Sequence, residues 1–379
     1  MTKPLAGPQT LLRTLNARAI LEALARRGPL TRAELMGETG LSRTAVTQVL
    51  RMLEAGDAVA SAGVDRATRG PAATRVSLHP GLGFAAAVHV DHTAMHVSLV
   101  DPTGAVRAQC DAALGHVDDR AAGIAALIAE CRETVQGPLQ HVVVAMPGIV
   151  TPDGEIRDDQ GPDGGAFRTA LIAHVDCPVH IENDVNLAAL AEAESGAGRE
   201  LSSFTLLMID EGLGAGTVLD GVLRRGAAGI AGEVQFLPQP PLPIGVPVIN
   251  EDVVHDLALL HDRDPADQLL VHLDACGEGN DAAKAMIDEL ARRLVIVAGG
   301  VTLVIDPEAF VLAGHAAHPC FVAAVDRAAE AVSHLLVLRF VTSAFGHEAT
   351  MVGAIGQAAA ALRERSFSRF VSLGGTGAG

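Results

Sequence analysis

The chain has 379 residues, 49% of them hydrophobic, with no Trp or Tyr and a formal net charge of −17. Such a length points to two or three domains with sizeable cores, and stacking on a ligand ring is left to Phe and His. The charge is uneven: residues 1–80 hold 11 Lys+Arg against 6 Asp+Glu, and the remainder carries −22. A basic head on an acidic body fits a small DNA-reading module joined to a larger domain that repels DNA.

Leu12 to Arg27 reads as a first helix with Ile20, Leu21 and Leu24 on its packing face, and Gly28-Pro29 breaks it. The stretch 29–60 reads as two helices joined by a tight turn. Thr31 and Glu34 have the spacing of a capping box, and Gly40 suits the left-handed residue that ends a helix. Ser42 caps the second helix, whose Val46, Val49, Leu50 and Leu53 share one face at helical spacing. Its other face presents Arg43, Thr44, Thr47 and Gln48, groups able to meet base edges and phosphates from the start of a recognition helix. Ala58–Val64 and Arg75–Leu78 then read as two strands around a loop with Arg66 and Arg69. This is the pattern of a winged helix-turn-helix, with Ser42, Arg43, Thr44, Thr47, Gln48, Arg66 and Arg69 as candidate DNA contacts. An ordinary helical hairpin would share the amphipathic spacing, but cap, turn, polar face and basic wing agree on DNA.

A domain boundary is expected near His79-Pro80. Strands then follow at 84–91 and across 94–110, with a turn at Asp101–Gly104. Ala121–Val135 reads as a helix, and the apolar run HVVVAMPGIV as a strand buried on both faces. VHIEND is a short strand that opens a helix over Val185–Ser195. SFTLLMID and AGTVLDGVLRR form a further pair around a glycine-bearing turn. GAAGIAGE at 226–233 is irregular, and the proline-dense loop after it cannot be a central strand. Helices are expected over Glu251–Leu260, Asp281–Val304 and Glu348–Arg363, with AFVLAG as a late buried strand; residues 1–9 and 366–379 are expected to be loose. Alternating strands and helices imply an α/β body of two lobes around a cleft. The turns at Pro147-Gly148, Asn183-Asp184 and Gly212–Gly216 would face that cleft, where open α/β sheets hold ligands. Cys110, Cys131, Cys177, Cys276 and Cys320 form no CxxC pair, so reduced, mostly buried thiols in a cytoplasmic protein without signal peptide or membrane span are expected.

The segments AMPGIVTPDGEI, IENDVNLAALAEA, GLGAGTVLDGVLRRGAAGIAGEV and DPEAFVLAG together resemble the ROK family (repressors, open reading frames, kinases), in its transcriptional-regulator branch of xylose and N-acetylglucosamine repressors. The resemblance implies a winged helix-turn-helix over 1–80 and an actin-like, sugar-kinase (RNase H-like) body over 81–365. A small lobe would comprise about 81–187 with the closing helix 348–365, and a large lobe about 188–347. It further implies operator DNA as partner, a homodimer or homotetramer, and a sugar or sugar-phosphate effector. Gly148, Asn183, Asp184, Glu233 and Glu251 match or lie near the family's sugar-contacting positions. Four of them also have a plain structural reading: Asn183 and Asp184 could simply cap the following helix, Glu233 could be a solvated loop acid, and Glu251 could serve a helix N-terminus.

The departures from the family pattern carry as much weight. Its DxGGT phosphate loop is here His89-Val90-Asp91-His92-Thr93, which lacks the glycines that let backbone N–H groups approach phosphate. The second phosphate loop begins Asp210-Glu211, two carboxylates where polyphosphate should lie, and the third is Ala313-Gly314. The family's zinc histidine corresponds to Phe236, and its cysteine cluster to PQPPLPIGVP, so no cofactor and no metal are expected. His255, His261 and His272 show no common ligand spacing. The expectation is therefore a DNA-binding repressor without kinase activity. A kinase with a fused head, or a ligand-independent DNA-binding protein, are the alternatives.

Overall fold

The computed structural model describes residues 9–65, 73–91, 93–114, 120–158, 161–163, 165–239 and 245–375. The wing arginines Arg66 and Arg69 lie outside the described residues.

The head opens with α1 (Gln9–Arg27), β1 (Leu30–Thr31), α2 (Arg32–Thr39) and α3 (Arg43–Ala55), followed by β2 (Val59–Asp65) and β3 (Ala73–Leu78). Its boundaries are chemical. Thr31 Oγ1 accepts from Glu34 N at 3.3 Å while Glu34 Oε2 accepts from Thr31 N at 2.7 Å, so the capping box closes. Gly40 ends α2 in the left-handed region at φ 67°. Ser42 caps α3 by accepting from Ala45 N at 3.2 Å. Ile20, Leu21, Leu24, Leu35, Val46, Leu50 and Leu53 are buried in one cluster. The wing has a third strand that the sequence reading lacks: β1 pairs with β3 through Leu30↔Val76, giving the order β1-β3-β2.

Beyond the head run β4 (Phe84–Val90), β5 (Ala94–Val100), β6 (Val106–Ala113), α4 (Arg120–Arg132) and β7 (Leu139–Met146). Next come β8 (Ile149–Val150), β9 (Ile156–Asp158), β10 (Gly161–Pro162), α5 (Ala166–Val175), β11 (Val179–Asn183) and α6 (Asp184–Ser195). Then follow β12 (Phe204–Ile209), β13 (Leu213–Leu219), β14 (Val222–Leu223), α7 (Glu251–Leu260), α8 (Leu269–Gly277) and α9 (Asp281–Ile305). The chain closes with β15 (Ala309–Gly314), α10 (Pro319–Glu330), β16 (Phe340–Thr342) and α11 (Ala349–Gly375).

The chain divides into two compact units. One comprises the residues up to Val144, Thr169–His180 and those from Ile355 on; the other comprises Ala145–Arg168 and Ile181–Ala354. The first contains the head together with most of a sheet of order β11-β7-β4-β5-β6. The second is built on the sheet β14-β13-β12-β15-β16. Every residue of β12 and of β15 is buried, as expected of central strands covered on both faces. Against this sheet α9 buries Met286, Ile287, Leu290, Leu294 and Val301. The breaks between units fall at Val144–Ala145, Arg168–Thr169, His180–Ile181 and Ala354–Ile355, so β7, α5, β11 and α11 pass from one unit to the other. One expectation needs correction: α11 continues to Gly375, so residues 366–375, read as a loose tail, are helical. No described helix is long and apolar enough to cross a membrane.

Candidate functional site

Two groups of residues stand out, one in each unit. In the head, α3 turns its apolar face into the core and leaves Ser42, Arg43, Thr44 and Gln48 exposed. Thr47 is half-buried, and its hydroxyl donates to Arg43 O at 2.8 Å, so its donor is already spent. Arg51 is also exposed on α3, one turn beyond Thr47 and Gln48. The sequence reading missed it, although its i+4 spacing from Thr47 was there to find. Arg75 in β3 is committed inside the head: its Nη1 donates to Pro29 O at 2.8 Å and its Nη2 lies 3.5 Å from Glu34.

In the second unit, β11 delivers Asn183 and Asp184 at the start of α6. Asn183 Oδ1 accepts from Asn186 N at 3.0 Å, which caps the helix. Its Nδ2 donates to Gly148 O at 3.1 Å and to Asp184 Oδ1 at 3.0 Å. Gly148 and Asn183 are thus brought together, with the Asn183 amide doing structural work. Beneath them Glu182 is buried; its Oε2 accepts from Arg225 Nε at 2.5 Å and its Oε1 from Asn186 Nδ2 at 3.0 Å. Neither Glu182 nor Arg225 was singled out from sequence, because their pairing spans 43 positions.

Asp184 sits in an acidic neighbourhood. Burial, opposed by a hydrogen bond from Val185 N, and the like charges of Asp210 and Glu233 push its carboxyl up to about 7. Glu233 is half-buried, and burial raises its pKa as well. Gly232 places it there: at φ 110°, a Cβ on Gly232 would stand 2.1 Å from Ala215 O, so only glycine lets this loop lie on β13. Asp210, at the end of β12, has Oδ1 3.5 Å from His347 Nδ1, and their hydrogen bond raises the His347 pKa. The His347 ring packs edge-on against His315, 4.9 Å between centroids. The structure therefore groups Asp184 with Glu233 and Asp210. Glu251 is exposed at the first position of α7, where a negative charge suits the helix end; Asn250 performs the cap by accepting from Val253 N at 3.0 Å.

The β4–β5 turn holds no glycine. Asp91 Oδ1 accepts from Thr93 N, Thr93 Oγ1 and Ala94 N, each at 2.7 Å, and its Oδ2 lies 3.2 Å from His96 Nε2. Burial opposes ionisation here, but these hydrogen bonds overcome it and hold the carboxyl at about 2. The backbone donors of Thr93 and Ala94 are therefore occupied by the chain's own carboxylate. Phe236 is exposed, and among the described residues no group of three or more His, Cys, Asp or Glu could hold a metal ion. His272 is a core histidine facing Arg263, with Arg263 Nε 3.3 Å from its Nδ1.

Residues 87–242 match the model of the ROK family, and residues 13–59 that of a winged helix-turn-helix DNA-binding domain. A xylose repressor from Lactiplantibacillus pentosus is 26% identical over 242 residues, covering 60% of each chain. Among solved structures, a ROK family transcriptional regulator described as a homolog of the E. coli MLC protein aligns with TM-score 0.76 at 21% identity, covering 95% of this chain and 99% of that one. A ROK family glucokinase from Streptomyces griseus, in complex with glucose and AMPPNP, aligns with TM-score 0.61 at 20% identity, over 73% and 99%. The chain spans about three fifths of the length of the curated relatives it matches. The body has the sugar-kinase-like actin fold that the resemblance implied. The chain thus carries a ROK family domain behind an N-terminal winged helix-turn-helix domain.

Proposed function

We propose that the protein is a sequence-specific DNA-binding transcriptional repressor acting as a homodimer or homotetramer in the cytoplasm. The observation that carries this reading is α3. It is a capped helix in a winged head, and its outward face holds Arg43, Thr44, Gln48 and Arg51. Such a face suits a major groove, and two-fold pairing would set half-sites one or more helical turns apart. The wing arginines Arg66 and Arg69 would add contacts to phosphates or the minor groove. The xylose repressors among its relatives support the same reading.

The second part of the proposal is a sugar or sugar-phosphate effector held near Gly148, Asp184 and Glu233, with Asn183 and Glu251 at its margin. Carboxylates suit this role because each can accept two hydroxyl protons. Phosphoryl transfer is left out. Asp91 fills the turn that would cradle phosphate, and Asp210 places a like charge where a polyphosphate would lie.

The test is selection of DNA from a random pool by the purified full chain. Enrichment of a two-fold symmetric sequence, bound at least tenfold more weakly by Arg43→Ala, is the expected result; a pool that never enriches would sink the repressor reading. A thermal-shift panel of sugars and sugar phosphates, repeated with Asp184→Ala, tests the effector separately. Sugar-dependent ATP turnover that Asp184→Asn abolishes would favour the kinase instead.

A further inference from the structure

The five cysteines are far apart in sequence, but four of them meet in space as two pairs. Cys110 on β6 lies in hydrogen-bond contact with Cys131 on α4, and Cys276 on α8 with Cys320 on α10. The pairs differ in setting. Cys131 is buried, whereas Cys276 and Cys320 are both partly exposed.

The second pair joins opposite ends of two helices. Cys276 is in the last turn of α8, and Cys320 is the second residue of α10, after Pro319. The first turn of a helix favours negative charge and the last turn disfavours it, so the two sulfurs occupy complementary positions. Burial and the neighbouring Cys320 thiol push the Cys276 thiol up to about 11, so Cys276 keeps its proton beside the Cys320 sulfur. A further contact holds the helices in place. Cys320 N donates to His318 Nδ1 at 3.2 Å, and His318 Nε2 faces Asp274 Oδ1 on α8 at 3.5 Å. The bonded Nδ1 leaves the ring proton on Nε2, directed at Asp274. Gly277, next to Cys276, brings bare backbone to the sulfur: a Cβ there would lie 3.6 Å from Cys320 Sγ.

We propose that Cys276 and Cys320 form a peroxide-responsive dithiol that closes to an intramolecular disulfide. A partly exposed thiol at a helix N-terminus with a second thiol beside it is the arrangement of a reactive and a resolving cysteine. Cys320 as thiolate attacks one oxygen of hydrogen peroxide. The O–O bond breaks, hydroxide leaves and takes a proton to become water, and Cys320 becomes a sulfenic acid. The Cys276 sulfur then attacks the Cys320 sulfur; the S–O bond breaks and a second water departs with the Cys276 proton. Two thiols are oxidised, one peroxide is reduced, and a reductant such as dithiothreitol reverses the change. The new bond ties the end of α8 to the start of α10. The turn before α10 carries His315, which packs against His347, so oxidation reaches the Asp210 neighbourhood through a single short segment.

The experiment is peroxide titration of the reduced full chain, followed by alkylation of free thiols, proteolysis and mass spectrometry. A cross-linked peptide pair containing Cys276 and Cys320, lighter by two hydrogens and separated again by dithiothreitol, is expected while Cys110 and Cys131 stay alkylatable. With Cys276→Ser, dimedone should trap a sulfenic acid at Cys320 about tenfold faster than it traps Cys276 in Cys320→Ser. The proposal is overturned if Cys276 and Cys320 remain free thiols under peroxide, or if Cys110 and Cys131 link at the same rate. Mapping the unsubstituted protein decides the matter even where a variant fails to fold.

Discussion

The head and the strand-end site of the second unit use similar polar residues in opposite ways. On α3 the polar groups face outward, and only Ser42 and Thr47 spend theirs on their own helix. Around Asp184 the polar atoms are turned on one another: Asn183 caps α6 and holds Gly148, while Glu182 pairs with Arg225. What remains is a concentration of carboxylates from Asp184, Asp210 and Glu233. An outward polar face is available to a partner at little cost. A crowded inward one stores electrostatic strain that a ligand or a proton can relieve.

The largest effect expected from this contrast is at Asp184. Its carboxyl binds a proton more tightly in the folded chain, at about 7, than in the unfolded chain, near 3.8. The folded state therefore loses stability as pH rises between those values, and the penalty is complete above about 7. Asp184→Asn keeps an oxygen for Val185 N and removes the charge. It should raise stability at pH 8 by about 2–4 kcal/mol and leave it unchanged at pH 3 to 4, as read by chemical unfolding at the two pH values. Equal effects at both would show that the Asp184 carboxyl is not raised by its burial and its acidic neighbours.

Next in size is Arg43. Arg43→Ala should weaken binding to selected DNA by about 1–3 kcal/mol without changing the melting temperature, read by anisotropy at fixed salt. A drop in melting temperature would show that this face is structural and erase the contrast.

Asn183→Ala should cost about 1 kcal/mol through loss of the cap, and Asn183→Asp, which keeps the cap acceptor but sets a carboxylate against Gly148 O and Asp184, should not restore it at pH 8; denaturant melts of the two variants check this. The smallest effect belongs to Arg51. Arg51→Gln should lower the slope of log affinity against log salt by about 1 if it meets one phosphate, and an unchanged slope would remove it from the face.

Much of the head could be read directly. Thr31, Glu34, Gly40 and Ser42 mark helix ends through contacts within three or four residues, and α2 and α3 begin and end where those residues require. Strands β12 and β15 were equally legible as short apolar runs. Three helices were not. Helix α8 follows Gln268, which makes no side-chain cap, and its apolar residues have no sharp polar face. Helix α10 does carry Pro319 at its start with His318 as cap, a signal the reading passed over. Helix α5 is short and has no acidic residue in its first turn; Asp163, three residues before it, accepts from Phe167 N at 3.1 Å, and Leu171 is its buried residue.

The candidate site divides the same way. The sequence alone determined which residues are present: the outward polar residues of α3, Asn183 and Asp184 at a strand-to-helix junction, and a first loop without the glycines phosphate would need. These follow from period, cap chemistry and backbone freedom, all of which act over a few residues. Only the tertiary structure decided what those residues experience. It raised Asp184 by burying it and bringing Asp210 and Glu233 near, gave Thr93 N and Ala94 N to Asp91, joined Glu182 to Arg225, and set Cys276 beside Cys320. Charge interaction, desolvation and sulfur contact depend on distance through space, and the spacing of residues along the chain does not encode it.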